Sequence, residues 1–276
     1  MPRPTGVLGE PYQELQALAS LDLKAVATSA AILKLALIAL EFLNTECCQV
    51  DLVSLVPDKK YCAYHVKGTP KLLSRPINAG LWEPDVHKIS DWWTKWRAGK
   101  KMAVMDLAKV TYTAAMAYCV GVDLFDRNNK KGPASYFEYY IGHLYAVEIG
   151  VNPTTAVKFK IGDKEIRLTM DLLFFPPNYS KVHVPVKMST RERVVQAWSH
   201  HRILDAVYGK GQFRGFLYFM IPNLSPVEIS ALMKCPSDGT STVQLKLGMD
   251  EKSKVTISLQ ELLQQKCVEN KRQPVK

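Results

Sequence analysis

RLTMDLLFFPPNYSKVHVPVKMSTRERV, residues 167–194, is the stretch that decides the fold. Residues 165–175 form an apolar strand with one carboxylate inside it, Asp171. An ionised carboxylate among Leu, Met and Phe is costly unless something compensates it. A buried Arg would do so, and so would a hard cation, whereas a strand centre offers no turn to cap. Pro176-Pro177-Asn178 breaks the strand, and a second apolar strand follows over residues 181–188, with Lys187 near its end. Lys187 lies 16 residues after Asp171, a span that suits two neighbouring strands joined by a loop. Taken alone, such a pair is common, and a lysine at a strand end is ordinarily solvated. Ser189 and Glu192 then form a capping-box pattern, which opens a helix running to Tyr208 and stopped by Gly209.

Working outward, residues 134–149 read as a helix and residues 156–161 alternate as a strand ending in the turn Gly162-Asp163-Lys164. Beyond Gly209, residues 213–221 read as a fourth apolar strand. The order is helix, strand, strand, strand, helix, strand. Upstream, residues 11–46 and 102–122 read as helices. Residues 50–90 are cut short by Pro57, Pro70, Pro76 and Pro84. The segment 89–101 sets three tryptophans among cations; it reads as a short helix burying Trp92 and Trp96, with a DNA-facing patch as the other reading. The turn-rich run 126–133 is the best internal boundary, giving a mainly helical region over 1–127, a core over 128–232 and a tail over 233–276. The tail reads as a hairpin (242–247 and 254–259) and a short helix, and the polar ends 1–10 and 269–276 read as irregular.

A chain of 276 residues with 47% hydrophobic and 22% charged residues can bury a sizeable core, which excludes disorder as the default. The formal net charge of +10 favours polyanionic partners, because neutralising phosphates releases condensed counterions. The six cysteines form no CxxC pair and no zinc-ligand cluster, so they read as reduced thiols of a cytoplasmic protein. The N-terminus lacks the apolar segment of a signal peptide. The apolar run 25–43 carries Lys34 and Glu41 on one helical face, so it reads as a core helix with a polar stripe, a subunit interface being the alternative, and not as a membrane span. The phosphate-cradling pattern GxxxxGK[ST] is missing, so no nucleotide cofactor is expected.

In the helix opened by Ser189, Val194, Ala197, Trp198, His201, Leu204 and Tyr208 form an apolar stripe, while Arg193, Gln196 and His200 share another face. His201 accordingly reads as a core histidine, and the polar face is either solvated or turned to a phosphate or a metal shell.

The chain from Gly132 to Ile221 resembles the PD-(D/E)XK nuclease core, and the run 186–193 resembles type II restriction endonucleases in particular. The resemblance implies an α/β fold, a central mixed sheet flanked by helices, preceded by an N-terminal helical region. It implies Mg2+-dependent, sequence-specific hydrolysis of double-stranded DNA by a homodimer. Carried over, Asp171 is the main metal ligand, Lys187 the catalytic lysine and Glu138, which follows Phe137, the helix carboxylate near the metal. Arg193 would then bind a phosphate and Gln196 orient water or the lysine. Two positions depart from the pattern: Met170 precedes Asp171 where the family has Pro, and Pro185 stands two before Lys187 where it has Asp or Glu. Residues i and i+2 of a strand share a face, so that acid would have completed the metal site. Either Glu138 or Glu148 supplies the second carboxylate, Glu138 matching the family position better, or the site is impaired. A repair or recombination nuclease of the same fold and a non-catalytic DNA-binding protein are the alternatives.

Overall fold

The computed structural model describes residues 5–53, 60–126, 129, 131–177, 181–187, 193–219 and 243–246. The chain divides into two compact units, one holding the described residues up to His143 and the other those from Leu144 onward.

The first unit is built on helices. What reads in sequence as one helix over 11–46 is two: α1 (Thr5–Leu21) and α2 (Val26–Glu46). The break falls at Asp22, whose backbone carbonyl accepts from the Thr28 hydroxyl at 2.7 Å and whose side chain accepts from the Lys24 amide at 3.0 Å. Short polar side chains compete for backbone groups in this way and end helices. α1 also takes in residues 5–10, which the sequence suggested were irregular. α2 is long and apolar enough to cross a membrane, yet half of its apolar stretch is buried within the fold. Ile32, Leu35, Leu40 and Leu43 are fully enclosed, and Lys34 pairs with Glu14 of α1 at 2.6 Å.

β1 (Cys47–Leu52), β2 (Tyr61–Val66) and β3 (Ile77–Asn78) form a small antiparallel sheet, and α3 (Val86–Arg97) and α4 (Val104–Phe125) follow. In α3 the buried tryptophan is Trp93, not the expected pair Trp92 and Trp96, which are half-buried. Ile89 and Trp93 stand four apart on the face that meets α2, and the Trp93 indole donates to the Ser29 hydroxyl at 3.1 Å. Cys119 is a fully buried thiol in α4, pushed up to about 12 by burial. Arg75 forks onto Asp123 near the end of α4, with Nε to Oδ2 at 2.6 Å and Nη2 to Oδ1 at 2.8 Å. Both side chains are only about a quarter exposed. Asp123→Ala strands this guanidinium, and breaking such a pair costs about 3 kcal/mol. The expected result is a clearly lower urea midpoint; an unchanged midpoint refutes it.

α5 (Lys131–Ile149) begins in the first unit and ends in the second. The second unit continues with β4 (Thr154–Ile161), β5 (Lys164–Phe174), β6 (Lys181–Val184), β7 (Val186–Lys187), α6 (Arg193–Tyr208), β8 (Phe213–Phe219) and β9 (Val243–Lys246). This is the expected order of elements. β4, β5 and β6 pair antiparallel, and β6 and β7 both run parallel to β8. The β7–α6–β8 crossover is the connection that parallel strands require. β6 and β7 keep one register along β8, with Lys181 opposite Phe213 and Val186 opposite Tyr218, so they are two halves of one line. Pro185 divides them, since it has no N–H to give to a ladder. β9 does not turn back on a hairpin partner among the described residues; it adds a parallel strand to β8. The partner expected at 254–259, the proposed Ser189 cap and the C-terminal helix lie outside the described residues. The α/β architecture, a mixed sheet flanked by helices with a helical region before it, is as the sequence led us to expect.

The core of the second unit is Val157, Met170, Leu173, Leu204 and Phe213, with Ile203, Val207 and Tyr208 of α6 partly buried against it. Gly209 ends α6 at φ 97°, a conformation that favours glycine, and its amide donates to the Asp205 carbonyl at 3.0 Å.

Candidate active site

Asp171 sits one residue before β5 begins to pair with β6, with β4 on the other edge of the strand. On one side Leu172 pairs with Val184 of β6; continuing that register one step sets Asp171 opposite Pro185. The Asp171 carboxylate does not face an empty ladder position, because its Oδ2 accepts the Val186 amide at 3.1 Å. The hairpin geometry inferred from the 16-residue spacing is therefore present: the half-buried carboxylate is tied to the residue just before Lys187.

On the other side the β4–β5 ladder slips. Ala156 pairs with Thr169, but Thr154 pairs with Leu173, so Met170, Asp171 and Leu172 together face the single residue Thr155. Met170 and Leu173, an odd number of steps apart, both enter the same core cluster, which a regular strand forbids. Bulges re-aim side chains and are frequent beside active sites. Nothing in the residue pattern of β5 marks this one in advance.

Lys187 closes β7, its backbone paired with Phe219 of β8. Arg193 and Gln196 lie in the first turn of α6; their side chains, and that of Lys187, are outside what the structure describes. Glu138 is exposed on α5 in the first unit, beside the fully buried Phe137. Glu148 is half-buried near the end of α5, in the same unit as Asp171.

Sequence reasoning passed over His183. It is buried in β6, with the His200 ring 6.3 Å away and the His201 ring 6.4 Å away and nearly parallel to it. Burial lowers the His201 pKa below the ordinary histidine range, which keeps that ring neutral. His201 is half-buried and turned to the sheet, as the apolar stripe suggested, and His200 is half-buried beside it. The alternation of the strand 183–187 already set His183 on a definite face, but only the helix packed against it gives that face meaning.

Among the described residues, no three His, Cys, Asp or Glu side chains converge as a metal cluster. A magnesium ion needs less. It keeps several waters and binds through one or two carboxylates together with substrate phosphates. A half-buried Asp171, oriented by a main-chain amide, fits that kind of donor set.

No family model matches the chain, and no curated protein matches it. Among solved structures, the crystal structure of the type IIP restriction endonuclease Kpn2I superposes with a TM-score of 0.69 at 19% identity, covering 89% of this chain and 88% of that one. A complex of restriction endonuclease PspGI with substrate DNA matches at a TM-score of 0.37 and 13% identity, over 58% of this chain and 75% of that one. The fold of this chain is thus similar to that of a restriction endonuclease.

Proposed function

We propose that the chain is a magnesium-dependent endonuclease that cuts double-stranded DNA at a defined sequence, as a type II restriction enzyme does, and works as a homodimer with one site for each strand. The observation that carries this reading is Asp171, re-aimed by a bulge and tied to Val186 at the end of the strand that bears Lys187, within a fold similar to that of a type IIP restriction endonuclease.

Phosphodiester hydrolysis needs an activated water, stabilisation of the charge that builds at phosphorus, and help for the leaving oxygen. Bound magnesium supplies a water of lowered pKa and polarises phosphoryl oxygens. In this reading Asp171 holds the ion together with a glutamate of α5. Glu138 is the assignment carried from the family position, and Glu148 is the alternative in the unit of Asp171. Lys187 stabilises hydroxide or the developing negative charge. Arg193 binds a phosphate through its planar fork, and Gln196 orients water or the lysine. No covalent intermediate with the protein is required.

Incubation of the protein with a mixed DNA substrate and magnesium, followed by sequencing of the ends, tests this. One recurrent sequence at the ends supports the restriction reading. Preference for branched or flapped DNA makes the chain a repair or recombination nuclease instead. Tight binding without cutting makes it a DNA-binding protein whose Pro185 marks a lost acid. Manganese is expected to replace magnesium, whereas calcium supports binding and no turnover, because its looser oxygen shell activates water poorly. Full cleavage in excess EDTA refutes the metal mechanism.

A further inference from the structure

The β4–β5 ladder runs on beyond the residues that β5 pairs with β6. Continuing the β5–β6 register places Thr169 opposite Lys187, where β7 ends. Residues 164–168 lie beyond this position along β5, about 17 Å of strand at ~3.4 Å per residue. The hairpin closes through Gly162 at φ 60° and Asp163.

The two faces of this ribbon differ. On one, Val157, Phe159 and Leu168 pack on or against the core of the second unit, which fixes how the ribbon is held. On the other, Lys158, Lys160 and Arg167 are exposed, accompanied by a single carboxylate, Glu165. Lys158 and Arg167 are directly opposite each other across the ladder. Like charges opposite one another destabilise a hairpin. Glu165 reaches Lys158 at 3.3 Å, but both are more than half exposed, and such a pair contributes little. The face keeps an excess of cations at a cost to its own strand pairing, and it stands at the end of the sheet where Asp171 lies.

We propose that this cationic face is a DNA-gripping arm: Lys158, Lys160 and Arg167 bind backbone phosphates of the duplex beside the one being cut. The inference rests on the endonuclease reading and adds to it a surface for the flanking DNA. Arg167 lies four residues from Asp171, about 13 Å along the strand, on the scale of the ~12 Å width of the major groove, which admits a two-stranded ribbon. Lysine and arginine side chains supply register and affinity through phosphates.

The test uses the full chain, a duplex containing its cleaved sequence, and calcium in place of magnesium for binding. Each phosphate contact adds about 0.9 to the slope of log affinity against log salt. Replacing Lys158, Lys160 and Arg167 together by alanine is expected to weaken binding and make the slope shallower by about 2.7. The affinity gap to wild type then closes roughly 40-fold between 50 and 200 mM salt. The rate of cutting on saturating DNA with magnesium stays near that of wild type. Exchanging the same residues for the other cation (Lys158→Arg, Lys160→Arg, Arg167→Lys) is expected to restore the slope. If the alanine variant does not fold, Lys160→Ala alone is expected to lower the slope by about 0.9. An unchanged slope and affinity, with wild type still binding and cutting DNA, overturns the arm and leaves the endonuclease reading standing. Failure of the cation-exchanged variant to recover also overturns it, since phosphate attraction needs only charge. If wild type neither binds nor cuts DNA, the endonuclease reading itself falls.

Discussion

Asp171→Ala is expected to abolish cleavage while DNA binding is kept or tightened. The carboxylate is the one acidic group set in the bulge of β5, and its Oδ2 holds the Val186 amide at the threshold of Lys187. In the mechanism proposed above, its removal takes away the main charge that retains the metal. Lewis-acid assistance contributes several kcal/mol to such a reaction, and each 1.36 kcal/mol is tenfold in rate, so the loss is on the order of a thousandfold. Binding moves the other way because a negative charge facing phosphates is gone. Single-turnover cleavage and a binding isotherm on the same duplex check both halves. Wild-type cleavage by this variant removes the nuclease assignment. Lost cleavage together with lost binding points to a collapsed strand, which a thermal melt of the variant would reveal.

The second large effect concerns the acid that Pro185 replaces. With Glu138 as the second metal carboxylate, Glu138→Gln is expected to be nearly as damaging as Asp171→Ala, because it removes a charge partner of the metal at unchanged side-chain shape, and Glu148→Gln is expected to be mild. The two glutamates are ten positions apart on α5, which rotates them about 80° from each other around the helix axis. Ten positions also separate them by about 15 Å along the axis, so a single ion would take one of them and not both. Their settings differ: Glu138 is exposed and Glu148 half-buried. Cleavage rates of both variants across a magnesium titration decide the matter, since the lost ligand raises the magnesium requirement. A dead Glu148→Gln beside a fully active Glu138→Gln reverses the assignment. Two active variants place the second ligand elsewhere.

Much of this was open to a reader of the residues alone. The order helix, strand, strand, strand, helix, strand from α5 to β8 follows from local periodicity, which each segment carries within itself. So does the apposition of Asp171 to the end of the Lys187 strand, because a hairpin of that length has few registers that keep its apolar residues inside. The core position of α2 was legible too, since burying an apolar run whose only charges between residues 25 and 43 are Lys34 and Glu41 is the least costly use of it.

Other features depended on hydrogen bonds and contacts between distant residues, which no local pattern encodes. The slip between Thr154 and Ala156 is a property of the β4–β5 pairing, which neither strand carries in its own residue pattern. The parallel place of β9 beside β8 depends on which strand offered an edge. Trp93 is buried instead of Trp92 because Ser29 and the face of α2 lie on that side of α3. His183 gains its ring neighbours only when α6 packs back on β6. What the sequence by itself determined was the kind of each element and the residues fit for chemistry; only the tertiary structure decided how they are aimed, because aim is set by pairing partners far away along the chain.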